Sequence, residues 1–343
     1  MYNKKAEYAK IFTKFLQLFF FFTTFAQKLL LTHTITYKMG MNYTAYYSVA
    51  EHIFAIDYDN SELIGLLSNY APFVVNQPSS IPIFSLRIHS ERLLSDSQRN
   101  LYTHLYTEAQ GKPNEVIPKI DVYTYDDRWL MRISQTTDTN VFCEVLSDRM
   151  FNRASLYIAP QCQDIRFCID TALMLIYAFR TASLCTLLMH ASVVVKNSEK
   201  LAYLFLGQSG TGKSTHARFW LQTYADGWLL NDDNPILRLM DDGQVYVFGS
   251  PWSGKTPCYI NQRARVGGII QLSQAHANKV RSLSLPEKYA NMQSATSGLK
   301  IDRQMADYLH ETIKHIITQI TCIHLECLPN TEAAQLCYTS INS

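Results

Sequence analysis

A strand, a glycine-rich turn and a helix are predicted in immediate succession within residues 204–220, LFLGQSGTGKSTHARFW. The turn from Gly207 to Ser214 fits the pattern G-x-x-x-x-G-K-[ST], which is the signature of a phosphate-binding loop. Its glycines allow a tight turn with several N–H groups aimed at one anion, and a helix that begins after Gly212 adds the positive end of its dipole. This succession predicts an α/β fold for the region.

The residues of this loop are expected to contact a nucleotide. We predict that ATP is bound by Gly207, Gln208, Ser209, Gly210, Thr211, Gly212, Lys213, Ser214 and Thr215. Lys213 is expected to reach the β- and γ-phosphates, and the Ser214 hydroxyl is expected to ligate Mg²⁺. The alternative is a glycine turn without a ligand. The helical spacing of the apolar residues that follow favours the phosphate loop, and these residues are Ala217, Trp220, Leu221 and Tyr224.

Two adjacent carboxylates end the next apolar strand, GWLLNDDNPIL. Phosphoryl transfer needs a metal ligand and a group that accepts the proton of the attacking hydroxyl. Asp232 and Asp233 can divide this work, and we predict Asp232 as the base and Asp233 as a ligand of Mg²⁺. The alternative is a solvated Asp-Asp-Asn turn ahead of Pro235.

Three further side chains are candidates by position. His190 is the first residue of the predicted strand HASVVV. It either faces the phosphates or the acceptor, or is a core histidine. Arg263 and Arg265 lie in a basic stretch downstream of the aspartates. They either contact the substrate and neutralise the transferred phosphate, or lie on the solvated surface.

A second segment, GSPWSGKT from Gly249 to Thr256, matches the same bare pattern. Pro251 lacks an N–H group and Trp252 is bulky, so this segment makes a poor anion nest. We therefore predict a substrate-side loop with the cation of Lys255 at its tip, and a second nucleotide site is the alternative.

The segments MHASVVV, GQSGTGKST and LLNDDNPIL occur in the order typical of the catalytic domain of HPr kinase/phosphorylase. The chain resembles that family over about residues 187–265, and more weakly from there to the C-terminus. The resemblance implies a P-loop kinase domain related to phosphoenolpyruvate carboxykinase, a serine hydroxyl as acceptor, and an oligomeric assembly. It also implies that His190, Asp232 and Asp233 are members of the active site.

The chain departs from this family at two places. Thr215 stands where the family usually has an acidic residue, and PWSGK does not resemble the family's later motif for phosphorolysis. These departures weigh against a reverse phosphorylase activity and against HPr itself as the substrate. The chain looks closer to the HPr-kinase-like proteins that accompany peptide-modification genes, whose acceptor is a peptide or a small molecule.

Three regions are predicted along the chain. Residues 41–163 are expected to form a mostly antiparallel α+β domain, with the strands IPIFSLRI, IDVYTYDDRWLMRI, VFCEVL and ASLYIA. Turns are predicted at Asp126-Asp127 and at Ser147-Asp148. Residues 164–343 are expected to form the phosphate-loop domain, and residues 1–40 are a leader or an incorrectly assigned start.

The phosphate-loop domain is expected to open with one long buried helix, Asp164–Met189, followed by the strands HASVVV and LAYLFL. Its C-terminal part is predicted to contain a helix over Asp302–Gln319, a strand over Ile320–Leu328 and a short helix from Thr331. Within that strand, Cys322, His324 and Cys327 are interpreted as strand residues. A zinc site is the alternative, and it would require a fourth ligand.

Composition and the N-terminal segment bear on partners and compartment. The net charge of +2 over 343 residues gives no electrostatic argument for a nucleic-acid partner. The 8 cysteines form no C-x-x-C pair, which indicates free thiols in a reducing compartment. Phe15–Ala26 is apolar and suits a secretory h-region. Because ATP is cytoplasmic, we favour a cytoplasmic protein that starts at Met39 or Met41. A signal, a membrane anchor or a folded element are the alternatives.

Together these features predict an ATP- and Mg²⁺-dependent kinase that phosphorylates a hydroxyl group. The acceptor is expected to be a serine of a small protein or peptide, or a small molecule. Two alternatives differ in class: a phosphoenolpyruvate-carboxykinase-like enzyme that acts on a small acid, and a nucleotide-binding sensor without catalysis.

Overall fold

The structure is a computed structural model that describes residues 43–89, 94–109, 118–135, 141–254 and 256–343. The predicted leader, with Phe15–Ala26, and the predicted substrate residue Lys255 lie outside the described residues. Within them the chain is a mixed α/β protein with two large mixed sheets, which agrees with the α/β class predicted from the sequence.

The first sheet contains nine strands, most of them rich in β-branched and aromatic residues. These are β1 Tyr43–Val49, β2 His52–Tyr58, β3 Val74–Val75, β4 Ser85–His89, β5 Thr103–Ala109, β6 Pro118–Tyr125, β7 Arg128–Gln135, β8 Cys143–Asp148 and β9 Arg153–Ile158. Their spatial order is β3-β1-β2-β4-β9-β8-β7-β6-β5. The pairs β2–β4 and β4–β9 are parallel and the other pairs are antiparallel, so the sheet is mixed although antiparallel pairing dominates.

One of the two turns predicted in this region is present. Asp126 adopts a φ of 51° between β6 and β7, which pair as an antiparallel hairpin. The turn predicted at Ser147-Asp148 is wrong, because both residues belong to β8. The chain reverses just after them, where the Asp148 carboxylate accepts hydrogen bonds from the backbone N–H groups of Met150, Asn152 and Arg153.

The second sheet contains ten strands. These are β10 Thr186–Met189, β11 Ala191–Lys196, β12 Leu201–Leu206, β13 Gly227–Asp233, β14 Ile236–Leu239, β15 Val245–Phe248, β16 Arg263–Gln274, β17 Lys279–Ser282, β18 Thr296–Ser297 and β19 Cys322–Cys327. Eight of them follow the order β13-β11-β12-β16-β15-β14-β10-β18, and β19 pairs with both β16 and β17. Strands β12, β16 and β19 are mutually parallel along this series.

The helices are α1 Leu63–Leu66, α2 Asp96–Arg99, α3 Ile165–Thr181, α4 Lys213–Thr223, α5 Leu285–Ala295, α6 Arg303–Gln319 and α7 Thr331–Ile341, with 3-10 turns at Ser68–Phe73 and Ala182–Leu184. The predicted C-terminal helix, strand and short helix are confirmed as α6, β19 and α7. Asp302 caps the first of these, because its side chain accepts a hydrogen bond from the Met305 N–H.

The long helix predicted over Asp164–Met189 is wrong in its last part. It begins at the predicted place, because the Asp164 side chain accepts a hydrogen bond from the Phe167 N–H. It ends at Thr181, and after the 3-10 turn Cys185 adopts a left-handed φ of 51°. The next four residues form β10, which is fully buried and pairs with β14 and β18. Sheet pairing therefore overrides the helical pattern of the sequence.

Helix α3 lies between the two sheets, and one apolar core extends through both. The segment Ile165–Leu184 is apolar and long enough to cross a membrane, but 67% of an 18-residue stretch of it is buried inside the protein, as expected of a core helix. The two sheets also meet where the His52 Nε2 atom of β2 lies 2.9 Å from the Thr186 Oγ1 atom of β10. Because α3 packs against strands of both sheets, the division into regions 41–163 and 164–343 stays a prediction.

Candidate functional site

The carboxyl ends of three parallel strands meet at one edge of the second sheet. Leu206, the last residue of β12, pairs with Gln271 of β16, and Gln274 at the end of β16 pairs with Cys327 of β19. Ligands of open α/β sheets bind in the crevice outside such carboxyl ends. The predicted phosphate loop starts at this edge, because Gly207 directly follows β12.

The aspartate pair and His190 reach the same edge through strand β11. This strand pairs antiparallel with β12 on one side and with β13 on the other, so β13 runs in the same direction as β12. Ser192 of β11 lies opposite both Phe205 and Asp232, and Ala191 lies opposite Asp233. Two strand spacings, about 10 Å, therefore separate the loop strand from the aspartate strand. His190 precedes β11 between them.

The loop backbone has the conformation that its glycines permit. Gly207, Gly210 and Gly212 adopt φ values of 153°, 78° and 105°. A Cβ atom on Gly207 would lie 3.3 Å from the Leu272 carbonyl oxygen, so the loop also passes close to β16. Helix α4 begins immediately afterwards at Lys213, with Gly212 as its N-cap. The strand, loop and helix predicted from the sequence are all present in this order.

The Lys213 side chain folds back over the loop and is 8% exposed. Its Nζ atom donates hydrogen bonds to the carbonyl oxygens of Gly207 and Gln208, at 2.9 and 3.3 Å. Burial lowers the pKa of this ammonium group, and the nearby carboxylates of Asp233 and Asp232 act in the opposite direction. The cation therefore lies at the loop and within the electrostatic reach of the aspartate pair.

The Ser214 hydroxyl connects the loop helix to the aspartate strand. Its Oγ atom donates a hydrogen bond of 2.9 Å to the Asp232 Oδ1 atom. Asp232 is 5% exposed, whereas the hydroxyl-bearing Ser214 is exposed at the first turn of α4. A hydroxyl and a carboxylate oxygen at this separation are the hard oxygen ligands that Mg²⁺ takes in nucleotide sites.

Asp233 has a different environment from its neighbour. Its Oδ1 atom lies 3.7 Å from the His190 Nδ1 atom, and its Oδ2 atom accepts a hydrogen bond from the Asn234 amide. The Asp233 and His190 side chains are 37% and 44% exposed. Burial and the Lys213 cation lower the pKa of His190, against the pull of the two aspartates. The imidazole is therefore mostly neutral near pH 7.

The second match to the pattern folds as a brace for the aspartate strand. The Gly254 N–H and the Ser253 hydroxyl both donate to the Asp232 carbonyl oxygen, at 2.7 and 3.1 Å. Trp252 is 4% exposed and its indole N–H donates to the Tyr70 hydroxyl at 2.9 Å. Neither glycine of this segment has a positive φ, and the next regular element is β16. The alternative of a second nucleotide site thus has no support in the backbone.

Arg263 and Arg265 do not lie near the loop. They belong to the first residues of β16, whereas Gln274, at its other end, contacts the loop. Arg265 pairs with Leu201 at the start of β12. Arg263 forms an ion pair with Glu51 and lies over the Tyr246 ring. The structure therefore does not bring these two arginines to the candidate site, and it gives no support to their predicted contact with the substrate.

An open cleft of about 650 Å³ adjoins the outer side of the loop. It is lined by Gly210, Gly212 and Thr215, by the ends of β16 and β19, and by the short segments that follow those strands. The Gln274 amide donates to the Gly210 carbonyl oxygen at 3.2 Å, which ties β16 to the loop. Sequence reasoning missed Gln274, because an isolated glutamine at a strand end belongs to no motif.

Cys322, His324 and Cys327 are strand residues, as the favoured interpretation predicted. The His324 Nε2 atom lies 2.8 Å from the Ser273 Oγ atom on the neighbouring strand. Across the part of the chain that the structure describes, no group of three His, Cys, Asp or Glu side chains could hold a metal ion. The Mg²⁺ expected with ATP would have nucleotide oxygens among its ligands, so it is a different kind of site.

No protein-family model matches the chain, and no curated protein sequence matches it either. The function is therefore argued from three geometric features: the glycine loop ahead of α4, the hydrogen bond from Ser214 to Asp232, and the exposed pair formed by Asp233 and His190.

Proposed function

We propose that the chain is an ATP- and Mg²⁺-dependent kinase that phosphorylates a hydroxyl group, with a P-loop domain of the HPr kinase/phosphoenolpyruvate carboxykinase type. The observation that carries this proposal is the hydrogen bond from Ser214 to Asp232 at the mouth of the loop. A phosphate loop alone only binds, but a loop hydroxyl bonded to a carboxylate on a nearby strand is a set of metal ligands beside the phosphates.

The residues present fit an Mg-nucleotide. The loop amides and the dipole of α4 suit the phosphates, and Lys213 supplies the cation that neutralises charge on the β- and γ-phosphates. Ser214 and Asp232 would hold Mg²⁺, which would neutralise negative charge on the phosphates. The cleft of about 650 Å³ beside Thr215 has room for the nucleoside.

The contacts favour the reverse of the roles predicted for the two aspartates. Asp232 is buried and bonded to Ser214, which suits the metal ligand. Asp233 is more exposed and lies beside His190, which suits the base that receives the proton of the acceptor hydroxyl. A neutral His190 can hydrogen-bond either the acceptor or the Asp233 carboxylate and hold it in position.

The test begins with calorimetry of the full chain, mixed with ATP in the presence and absence of Mg²⁺. Transfer from γ-labelled ATP to proteins, peptides and small molecules of a cell extract is then compared among the wild type, Asp232→Asn and Asp233→Asn. We expect Asp232→Asn to weaken the dependence of nucleotide affinity on Mg²⁺. Asp233→Asn is expected to keep that dependence and to lose about 10²–10⁴-fold in transfer rate.

Three outcomes would contradict the proposal in different ways. The absence of heat with Mg-ATP would exclude nucleotide binding altogether. Binding without consumption of ATP would identify a nucleotide sensor. Label in a small acid, with phosphate on a carboxylate oxygen, would point to carboxykinase-like chemistry.

A further inference from the structure

A second cleft, of about 380 Å³, lies between the two sheets and is hereafter called the intersheet cleft. Its apolar wall includes Ile120 from β6, Phe179 from α3 and Leu188 from β10. Its volume falls within the range of about 300–1,000 Å³ that is typical of small-molecule pockets. The first sheet thus contributes to a cavity of ligand size.

The intersheet cleft reaches the candidate active site at His190, which lines it. The same imidazole lies 3.7 Å from Asp233, and its electrostatic environment includes Lys213. The backbone N–H of His190 donates to the Ala295 carbonyl oxygen at 2.7 Å, and Ala295 also lines the cleft. A molecule in this cleft would therefore contact His190, whose imidazole lies beside the proposed base Asp233.

The polar lining of the cleft includes a cation, Lys300, and a carboxylate, Glu108. Lys300 is exposed and its Nζ atom donates to the Gln293 carbonyl oxygen at 2.7 Å, which leaves two of the three ammonium protons for other acceptors. Glu108 of β5 lies near enough to interact electrostatically with this cation. Ile301 also lines the cleft and leaves 50% of its surface in water. Apolar surface beside the Lys300 ammonium group and the Glu108 carboxylate suits a molecule with an apolar body, a carboxylate and an ammonium group, as in a dipeptide.

We propose that the intersheet cleft binds the phosphate acceptor, a dipeptide-sized molecule that carries a hydroxyl group, an apolar body and a carboxylate. This inference deepens the proposed kinase function and rests on it. The acceptor hydroxyl lies at His190, its apolar body lies against Ile120 and Phe179, and its carboxylate pairs with Lys300. The first sheet thereby becomes part of the specificity of the enzyme.

The transfer step balances with the groups named. The acceptor oxygen forms a bond to the γ-phosphorus as the bond between that phosphorus and the β,γ-bridging oxygen breaks, and ADP leaves with the electron pair. The hydroxyl proton passes to the Asp233 carboxylate. No oxidant, reductant or further co-reactant is needed.

The experiment uses the full chain, γ-labelled ATP and a defined set of acceptors: the dipeptides Ser-Leu and Ser-Gly, the amide of Ser-Leu, and eleven-residue peptides with Ser-Leu in the middle. We expect Ser-Leu to be phosphorylated with a kcat/KM about tenfold above that of Ser-Gly and of the amide. Preference for the eleven-residue peptides over free Ser-Leu would overturn the assignment to a dipeptide-sized molecule and its carboxylate.

Two variants test the cleft itself. Ser294→Trp places a large ring in the cleft from an exposed position on α5, and Lys300→Met removes the cation without changing the length of the side chain greatly. We expect Ser294→Trp to lower kcat/KM for Ser-Leu about tenfold or more, and Lys300→Met to raise KM for Ser-Leu but not for its amide. Thr318→Trp, at an exposed position of α6 outside the cleft, is the matched control and should match the wild type.

Calorimetry with Mg-ATP distinguishes a failure of the kinase proposal from a failure of the cleft assignment. All three variants should bind Mg-ATP as the wild type does, because neither Ser294 nor Lys300 lies at the loop. If the wild type does not bind Mg-ATP, the kinase proposal falls. If it binds Mg-ATP but phosphorylates no acceptor of the set, or if Ser294→Trp and Lys300→Met leave transfer unchanged, the cleft assignment is overturned while the kinase proposal is still decided by the extract assay.

Discussion

The chain contains two segments that match the same phosphate-loop pattern, and they fold differently. In Gly207–Ser214 all three glycines adopt positive φ and a helix follows at once. In Gly249–Thr256 neither glycine does, and the segment packs onto the strand that carries the aspartates. The first match forms a nest with a cation folded over it, and the second hydrogen-bonds to the backbone of the strand that carries the carboxylates.

The side chains between the glycines account for the difference. The first match carries only short or polar residues, and Gln208 and Ser209 stay exposed. The second carries Trp252, whose indole ring gains about 4–6 kcal/mol when its roughly 150–250 Å² leave water. That ring lies against Tyr70 and Tyr177 in the core between the sheets. A pattern of glycines and a lysine therefore specifies a phosphate site only where the loop contains no large apolar side chain that packs into the core.

Exchange of the lysine in each match should separate the two loops most strongly. Lys213→Ala removes the ammonium group that lies 2.9 Å from the Gly207 carbonyl oxygen, so we expect the transfer rate to fall about 10²–10³-fold. Lys255→Ala is the matched control, and the free energy of Mg-ATP binding should change by less than about 0.5 kcal/mol. Calorimetry and the label assay measure both quantities. Equal effects of the two substitutions would show that the loops are not functionally distinct.

Removal of the second loop's anchor should mainly affect folding. Trp252→Ala empties a buried site, so we expect the free energy of unfolding to fall by about 3–5 kcal/mol in urea denaturation. Tyr70→Phe removes the acceptor of the indole hydrogen bond and also the hydroxyl that interacts with Asp170, and should lower the free energy of unfolding by about 1–2 kcal/mol. An unchanged urea midpoint in the Trp252→Ala protein would mean that this loop is not held by the core.

The glycines themselves are needed for different reasons. A Cβ atom at Gly249 would lie 1.9 Å from the Ile260 carbonyl oxygen, so Gly249→Ala should destabilise the fold by about 1–3 kcal/mol through overpacking. At Gly212 nothing lies within 4 Å, but its φ of 105° disfavours a side chain. Gly212→Ala should therefore lower the free energy of unfolding by about 1–2 kcal/mol and also weaken Mg-ATP binding. If Gly249→Ala weakened nucleotide binding more than Gly212→Ala, the two roles would be exchanged.

The hydrogen bonds made by the tryptophans beside the two loops should differ in how strongly acid weakens them. The Trp220 indole donates to the His216 Nε2 atom at 3.0 Å, whereas the Trp252 indole donates to a tyrosine hydroxyl. Burial lowers the pKa of His216 to about 4, below its value of about 6.5 in an unfolded chain. Between these values the unfolded chain binds more protons, so stability is full above about pH 6.5 and falls as the pH drops towards 4.

We expect this histidine to contribute about 1–2 kcal/mol to the loss of stability between pH 7 and pH 5. Urea denaturation at pH 7 and pH 5 measures the loss, and His216→Gln should reduce it. Tyr70, the partner of the Trp252 indole, does not itself titrate in this interval, because burial raises its pKa well above its usual range. A pH dependence that His216→Gln leaves untouched would exclude His216 as its source.

Local patterns predicted the regular elements well where one signal acted alone. The strand, loop and helix around Gly207 are present, and so are the C-terminal helix, strand and helix. The prediction failed at Thr186–Met189, where an apolar run suits a buried helix and a buried strand equally. Pairing with β14 and β18, which are distant in sequence, decides the matter there. The turn prediction at Ser147 and Asp148 failed for a related reason, because both residues pair with the first residues of β7 and therefore extend β8.

The sequence predicted some members of the candidate site, namely His190, the loop and the two aspartates, but it also predicted Arg263 and Arg265, which lie elsewhere, and it did not predict which side chains pair. The order of segments indicated that His190, the loop and the aspartates belong together, and the alternation of β11, β12 and β13 brings them to one edge. Which aspartate contacts Ser214 could not be read from two adjacent identical residues. Side chains alternate across a strand, and only the register of β13 shows that Asp232 faces the loop helix while Asp233 lies beside His190.

The sequence by itself determined the glycine loop and the helix after it, because glycine conformational freedom and helical periodicity act within a few residues. Only the tertiary structure decided that the second glycine loop is a brace, that Arg263 and Arg265 lie far from the loop, and that the first sheet lines a cleft at His190. These outcomes depend on burial and strand pairing between segments tens to more than a hundred residues apart, and no local pattern carries that information.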